Sequence, residues 1–302
     1  MENDQLRKTK LHSEEYFGEQ RNFWWNSDFI DLMSERWQLS HVKHMLDVGC
    51  GVGHWGRLLA PHLSATAEII GIDQEEKWVE KSRNTKIARK ASYQIANALE
   101  LPFENSTFDM VTCQTLLMHL QNPQKAIQEF IRVLQPGGIL AVAEPNNGVQ
   151  QLVRSSINLN LSLDQRLSQI KFQMICDQGK INLDEGDNSI GDLLPGYFSE
   201  IKLQNIKVYV SDKAAALYPD YSLPEQKPLI DDFLNRVEKD FGWWDKADSK
   251  KYYVAGGGNE YDFEKIWTDS KKLSVETAKA IKKNHYHCGG GQIFYLVSGR
   301  KA

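Results

Sequence analysis

A glycine-rich turn after the first predicted strand constrains the fold more than any other feature of the sequence. The run Leu46-Asp47-Val48-Gly49-Cys50-Gly51-Val52-Gly53 passes from an apolar strand through three glycines into a helical pattern. Glycine has no Cβ and adopts positive φ readily, so such a turn lets a ligand approach the backbone closely. The turn therefore predicts a nucleotide-like cofactor at the carboxyl end of the first strand.

The glycines alone leave two cofactor classes open, because Gly51-Val52-Gly53-His54-Trp55-Gly56 also fits the G-x-G-x-x-G pattern of dinucleotide-binding proteins. Asp47 argues against a pyrophosphate, since its carboxylate would repel an anion; it would neutralise a cationic ammonium or brace the loop. Asp73, which ends the second predicted strand, is placed to accept hydrogen bonds from ribose hydroxyls. Asp47 therefore discriminates between the classes, whereas Asp73 is compatible with both.

Short apolar runs alternate with helical patterns from Met45 onward. This rhythm is typical of an α/β fold in which a doubly wound, mostly parallel sheet carries helices on both faces, joined by right-handed crossovers. The predicted strands are 45–48, 68–73, 92–96, 108–113, 139–144, 201–211 and 292–298.

Six segments follow from this pattern. We expect an N-terminal helical lid (1–44), a cofactor-binding core (45–148), a helical insertion (149–200), a core strand (201–211), a second insertion or cover (212–286) and a final core strand (287–302). The second insertion contains five aromatic residues that form either a wall for a flat or apolar acceptor or the insertion's own core. They are Trp243, Trp244, Tyr252, Tyr253 and Tyr261.

Three further motifs follow the glycine turn in order: Gly71-Ile72-Asp73, then 97–103 with 108–111, then 132–138. Together they resemble the class I S-adenosylmethionine-dependent methyltransferases, in particular the small-molecule group that includes ubiquinone-biosynthesis enzymes. The resemblance covers roughly residues 45–145. It implies a seven-stranded Rossmann-like sheet with an antiparallel last strand, S-adenosylmethionine as cofactor, S-adenosylhomocysteine as product, and a small-molecule acceptor methylated on an O, N or C atom.

The resemblance also implies cofactor contacts. The turn would line the methionine moiety and the adenosine edge, Asp47 would support the amino-acid end, and Asp73 would hold the ribose. Asn97 takes the place of the acid that usually meets the adenine amino group, and it accepts that bond through its amide oxygen or only turns the chain. Arg21 meets the cofactor carboxylate or lies in solvent. The full expected set is Arg21, Asp47, Gly49, Cys50, Gly51, Gly53, Asp73, Gln74, Asn97, Ala98 and Gln114.

Methyl transfer from a sulfonium is an in-line displacement, so the protein mainly aligns the acceptor and excludes water, and no dedicated base is required. Where the acceptor must lose a proton, the candidate bases are His119, Glu144 and Tyr16, in that order. Each also has a structural interpretation: His119 as a packed side chain, Glu144 as a strand end and Tyr16 as part of a helix packed on the sheet edge.

The formal net charge of -4 gives no bulk attraction to nucleic acid or anionic membrane, although a local basic patch is compatible with it. No apolar stretch is long enough to span a bilayer, so we expect a cytoplasmic protein without membrane insertion. Its four scattered cysteines (Cys50, Cys113, Cys176 and Cys288) lack zinc-site spacing and predict reduced thiols and no metal. The oligomeric state stays open.

Two other classes remain beside the enzyme. One is a catalytically silent protein that binds the cofactor for scaffolding or regulation, and the other is an NAD-dependent oxidoreductase, which rests only on the overlapping glycine pattern. The four cysteines also suggest arsenite methylation, but they lie far apart in the sequence and so give this activity little support.

Overall fold

The computed structural model describes residues 19–84, 86–240 and 242–302. These residues form one sheet of seven strands. The strands are β1 (His44–Val48), β2 (Glu68–Asp73), β3 (Lys90–Ile95), β4 (Phe108–Gln114), β5 (Leu134–Pro145), β6 (Gln204–Val210) and β7 (Phe294–Arg300).

The sheet has the order β3-β2-β1-β4-β5-β7-β6. Strands β1 to β5 pair in parallel, whereas β7 is antiparallel to both β5 and β6. The predicted doubly wound sheet with an antiparallel last strand is therefore confirmed. The strand order reverses between β1 and β4, and in open α/β sheets ligands bind beyond the carboxyl ends of the strands at such a point.

Helices connect the strands and form the insertions. The α-helices are α1 (Ser27–Trp37), α2 (His54–Leu59), α3 (Glu76–Arg83), α4 (Pro123–Val133), α5 (Leu163–Asn182), α6 (Leu194–Glu200), α7 (Gln226–Glu238), α8 (Lys246–Ala255) and α9 (Glu260–Lys282). Short 3-10 helices lie at Glu19–Phe23, Leu39–His41, Ala60–His62, Leu117–His119, Gly148–Leu152, Asn158–Asn160 and Ile190–Asp192.

Local sequence explains where two of these helices begin. Pro123 occupies the first turn of α4, and the Asn122 side chain accepts a hydrogen bond of 2.9 Å from the Lys125 N–H. Helix α5 begins at a capping box, in which Ser162 and Gln165 each accept from the other's backbone N–H. These bonds satisfy N–H groups that the first helical turn leaves without partners.

The core lies on both faces of the sheet because strand residues alternate between them. Leu46 and Val48 of β1 join a cluster that includes apolar residues of α4 and α6, whereas Met45 joins a second cluster with α1 and α2. Trp37 of α1 is 2% exposed within that second cluster. The helical segment before β1 therefore contributes to the packing of the sheet.

Several boundaries differ from the sequence-based expectation. The fifth strand begins at Leu134, five residues earlier than predicted, the sixth begins at Gln204, three residues later, and the last runs from Phe294 to Arg300, two residues later than predicted. The third strand begins at Lys90, two residues earlier than predicted, and ends at Ile95. The helical pattern before β1 is interrupted after Phe23 and resumes as α1 at Ser27.

Within the described ranges, no helix is both long and apolar enough to span a bilayer.

Three of the five aromatic residues singled out in the second insertion pack into an apolar core, as one of the two alternatives predicted, but they share that core with the first insertion. Tyr252 and Tyr253 of α8 are buried with Cys176 of α5 and with Phe263 and Trp267 of α9. Trp244 packs on the same cluster, whereas Tyr261 is 94% exposed. Tyr252 and Tyr253 therefore stabilise the packing of α5 against α8 and α9.

Candidate functional site

The glycine turn connects β1 to α2 at the point where the strand order reverses. Gly49 and Gly53 have φ values of +66° and +80°, which side chains rarely allow. A Cβ on Gly49 would also lie 2.6 Å from Leu116 Cδ1, so the turn and the segment after β4 are in close contact. Buried Cys50 donates its N–H to the Ile72 carbonyl over 2.8 Å, which holds the turn against β2.

Asp73 connects the turn to the start of α3. Its Oδ2 accepts the Gly51 N–H and its Oδ1 accepts the Glu75 N–H, each at 3.0 Å. The side chain is half-buried, and each carboxylate oxygen has a further lone pair for an incoming hydroxyl. The neighbouring Gln74 is exposed. The geometry is thus compatible with the predicted ribose contact and adds a structural role.

Asp47 lies beneath the turn and is 1% exposed. Its Oδ2 accepts the Gly56 N–H at 3.0 Å and so braces α2. Its Oδ1 is buried and has no hydrogen-bond partner among the described residues. Burial, and less strongly the charge of Asp73, raise the pKa of Asp47 to about 7, although the Gly56 N–H opposes that shift. An unpaired buried carboxylate oxygen fits a cationic donor such as an ammonium group.

A cavity of about 310 Å³ is lined by two of the eleven predicted cofactor residues, Arg21 and Gln114, and the other nine do not line it. His54 and Arg57 of α2 also line the cavity, and Trp25 contributes an apolar wall. The remaining lining residues are Asn22, Ser27, Ile30, Asp31, Leu58, Pro61 and His62. Gln114 is buried and is the last residue of β4, so the cavity reaches the carboxyl end of that strand.

Two guanidinium groups, of Arg21 and Arg57, and one carboxylate, of Asp31, line the cavity. Burial lowers the pKa of Arg21 to about 10, which leaves it charged. Burial, followed by the charges of Arg57 and Arg21, lowers the pKa of His54 to about 4, so its imidazole is neutral. Arg57 Nη2 lies 2.8 Å from His54 Nδ1 and must be the donor, which puts the imidazole proton on Nε2. Two guanidinium groups and an N–H donor suit a carboxylate.

Sequence reasoning missed His54 and Arg57. The available signal was their spacing, because they stand one and four residues after Gly53 and therefore share a face of the first turn of α2. The sequence does not show that Arg21 lies beside this face of α2. The structure shows it, because Arg21, His54 and Arg57 line the same cavity.

The segment after β3 carries Asn97 and Ala98 at the expected adenine end. Asn97 is exposed, and its Oδ1 accepts the Leu99 N–H at 2.9 Å, while Ala98 is buried. Arg132 donates to the Leu101 carbonyl over 2.8 Å, which ties two of the sequence motifs together. The amide oxygen of Asn97 thus turns the chain and retains one lone pair for a ligand.

Glu144 holds the segment that follows β4. The carboxylate is fully buried, and its Oε1 accepts the N–H groups of Leu116 and Leu117, both at 2.8 Å. Its Oε2 accepts the Met118 N–H at 3.3 Å. Burial raises the pKa of Glu144 to about 7, against the effect of these three bonds. Because the carboxylate oxygens are used by the backbone, this geometry favours a positioning role over proton transfer.

The same segment is held from the other side by a buried lysine of the first insertion. Lys180 of α5 is 3% exposed and donates from Nζ to the Met118 carbonyl (3.1 Å) and to Asn188 Oδ1 (2.7 Å). Burial lowers its pKa to about 8. His119, which is half-buried, ends the 3-10 helix of this segment. Lys180 was missed, although a lysine on the inner face of a helix is a recognisable signal.

Tyr16 and the four cysteines were also considered in the sequence analysis. Tyr16 lies outside the described residues. Cys50, Cys113 and Cys176 are buried and Cys288 is half-buried, all as free thiols. Burial raises the pKa of Cys50 and Cys113, which keeps them protonated. Across the described ranges, no group of three or more His, Cys, Asp or Glu residues is arranged to hold a metal ion.

Comparison with known proteins connects this geometry to a family. The sequence model of the family described as "Methyltransferase domain" matches residues 39–192, which is half of the chain. This match contains the glycine turn, Asp73, the segment after β4 and Glu144, together with α5 and its Lys180.

Individual relatives match shorter stretches. The demethylmenaquinone methyltransferase of Lactiplantibacillus plantarum is 35% identical over 120 residues, which are 38% of this chain and 51% of that protein. The chloroplastic tocopherol O-methyltransferase of Arabidopsis thaliana is 36% identical over 105 residues, which are 33% and 30% of the two chains. The chain thus spans about half of the length of the first relative and less than a third of the second. The crystal structure of the YcgJ protein from Bacillus subtilis superposes with a TM-score of 0.47 at 17% identity, covering 91% of this chain and 99% of that one.

Proposed function

The chain belongs to the methyltransferase domain family, and we propose that it transfers a methyl group from S-adenosylmethionine to a small-molecule acceptor. One observation carries this proposal. Gly56 of α2 donates its N–H to the buried carboxylate of Asp47, which has an unpaired oxygen, and the next residue of the helix, Arg57, lines a cavity together with Arg21. An acceptor for an ammonium beside donors for a carboxylate recognises an amino-acid group, which S-adenosylmethionine has and NAD lacks.

We also propose which residues contact the other parts of the cofactor. Asp73 accepts the ribose hydroxyls, with Gln74 beside it, and Asn97 and Ala98 border the adenine. Gln114 faces the amino-acid end from β4. The backbone of the turn, at Gly49, Cys50, Gly51 and Gly53, borders the centre of the cofactor.

When bound, the cofactor supplies a methyl group on a sulfonium that a nucleophile displaces in line. The chain's own residues fix the surroundings of that displacement. Glu144 accepts the N–H groups of residues 116–118, Lys180 donates to the Met118 carbonyl, and the Leu116 side chain packs against Gly49. For an acceptor that must lose a proton, we assign the base to His119 at the end of this segment, with Tyr16 as the alternative. Glu144 acts as a positioning residue.

We expect labelled methyl groups to pass from S-adenosylmethionine to an acceptor in the presence of this chain. The panel includes a demethylated menaquinol and a tocopherol precursor, since relatives are named for such acceptors, as well as phenols and amines. Product is detected by mass spectrometry, and reactions without acceptor or without protein serve as controls. A chain that binds S-adenosylhomocysteine yet methylates no acceptor on a broad panel would favour the silent cofactor-binding protein.

The pH dependence of cofactor binding provides a second test of the proposal. The pKa of Asp47 is raised to about 7, so the carboxyl group is partly protonated at neutral pH. An ammonium placed beside the carboxylate lowers its pKa, so binding near pH 7 releases a proton and affinity rises as the pH increases from about 6 to about 8. The heat of binding S-adenosylhomocysteine should therefore differ between phosphate and Tris buffers, and the difference should shrink in Asp47→Asn, which retains an acceptor for the Gly56 N–H. Equal buffer dependence in both proteins would place the ammonium elsewhere.

The free thiols support a cytoplasmic location for this activity, because reduced cysteines persist there. The net charge of -4 supports a small molecule over nucleic acid as the partner.

A further inference from the structure

Helix α5 exposes an apolar stripe on its outer side. The stripe consists of Leu163, Leu167, Ile170 and Met174, whose spacing of i, i+4, i+7 and i+11 puts them on one face, and it ends where Asp177 and Gln178 occupy that face. Leu163 is 69% exposed, Met174 is 64% exposed and Leu167 is 51% exposed. Single exposed apolar residues are ordinary, but a contiguous stripe marks an interaction surface.

The opposite face of α5 is already packed. Cys176 and Lys180 are buried there, and Phe172 contacts the aromatic core of the second insertion. The helix is therefore apolar on two sides, and such helices are normally covered on both. Among the described residues, the large side chains of the stripe lie mainly in solvent.

Charge indicates what covers the stripe. Residues 152–174 contain three basic residues, Arg154, Arg166 and Lys171, and one acid, Asp164, in a chain whose net charge is -4. Acidic residues follow (Asp177, Asp184, Glu185 and Asp187), so the basic surroundings belong to the first half of α5, which carries the stripe. Arg154 and Lys171 are exposed, and so are Leu152 and Leu159 in the preceding segment. Apolar side chains flanked by basic groups complement a bilayer surface that has anionic headgroups above hydrocarbon.

Helix α5 lies close to the candidate site through the face opposite the stripe. Helix α5 reaches the carboxyl edge of the sheet, where Lys180 contacts the Met118 carbonyl of the segment after β4. The 3-10 helix Gly148–Leu152 that leads towards α5 follows directly from β5. A surface bound by the stripe would therefore be separated from the segment after β4 by the width of α5.

We propose that the α5 stripe docks the protein peripherally on an anionic phospholipid surface. Docking buries the stripe in the interfacial region while the basic residues contact headgroups, and no segment crosses the bilayer. This inference goes beyond the proposed function, because it concerns a surface that cofactor binding does not use.

Co-sedimentation with vesicles tests this proposal. The full chain should sediment with vesicles of mixed phosphatidylcholine and phosphatidylglycerol, less with phosphatidylcholine alone, and less as salt is raised. The triple variant Leu163→Gln, Leu167→Gln, Met174→Gln should lose more than about tenfold in apparent affinity, because it removes apolar area that binding would bury. The matched control Val208→Gln, Val210→Gln, Tyr261→Gln changes three exposed apolar residues elsewhere and should bind as the unaltered chain does.

Titration of each variant with S-adenosylhomocysteine shows that the fold is intact and separates a failure of docking from a failure of the proposed function. The docking proposal is wrong if the unaltered chain stays in the supernatant with anionic vesicles, or if the triple variant sediments as well as the control. It is also wrong if light scattering shows a dimer that the triple variant dissociates, since a second copy then covers the stripe.

Discussion

Asp73→Ala is expected to weaken the binding of S-adenosylhomocysteine by more than about tenfold, which is about 1.4 kcal/mol or more. The substitution removes the proposed acceptor of the ribose hydroxyls. It also removes the carboxylate that accepts the Gly51 and Glu75 N–H groups, so the glycine turn loses its connection to α3. Isothermal titration calorimetry of the two proteins measures the difference directly.

The matched control for this substitution is Glu76→Ala. Glu76 is an exposed acid three residues further along the chain, and its removal should leave affinity nearly unchanged. Circular dichroism establishes that each variant is folded. If Asp73→Ala bound S-adenosylhomocysteine as tightly as the unaltered chain, the end of β2 would not contact the cofactor and the assignment would be wrong.

Glu144→Ala is expected to lower the free energy of unfolding by about 3 kcal/mol. Three backbone N–H groups lose their acceptor inside the protein, and each unsatisfied group costs about 1–3 kcal/mol, partly offset because a buried carboxylate no longer needs to be desolvated. Urea denaturation followed by circular dichroism measures the loss. Glu144→Gln keeps an amide oxygen for these groups and should lose less.

The pH dependence of stability provides a second measurement on the same residue. Because the folded-state pKa of Glu144 is raised to about 7, its contribution to stability is fully present below its ordinary pKa and is lost as the pH rises through 7. The stability of the unaltered chain should therefore fall more steeply between about pH 5 and pH 8 than that of Glu144→Gln. Equal stability of Glu144→Ala and the unaltered chain would show that other groups satisfy these N–H donors.

The features that sequence predicted well depend on neighbours along the chain. The alternation of apolar runs and helical patterns located all seven strands, since strand and helix periods are local properties. The glycine turn after β1 and Asp73 at the end of β2 were identified for the same reason. Asp73 ends its strand as expected, although its two bonds to backbone N–H groups became visible only in the structure.

The features that sequence did not predict depend on contacts between distant segments. His54 and Arg57 line a cavity only because Arg21 lies beside α2, and Lys180 reaches Met118 across 62 residues of chain. The role of Glu144 likewise depends on its side chain pointing towards the segment after β4. Aromatic composition alone gave no means of deciding that Tyr252 and Tyr253 pack inward.

The central claim is that the site holds S-adenosylmethionine through its amino-acid end and its ribose. Isothermal titration of the unaltered chain, first with S-adenosylhomocysteine and then with NADH, tests it most directly. We predict saturable binding of S-adenosylhomocysteine and no measurable heat of binding with NADH. Binding of NADH without binding of S-adenosylhomocysteine would contradict the claim and restore the dinucleotide interpretation of the glycine turn.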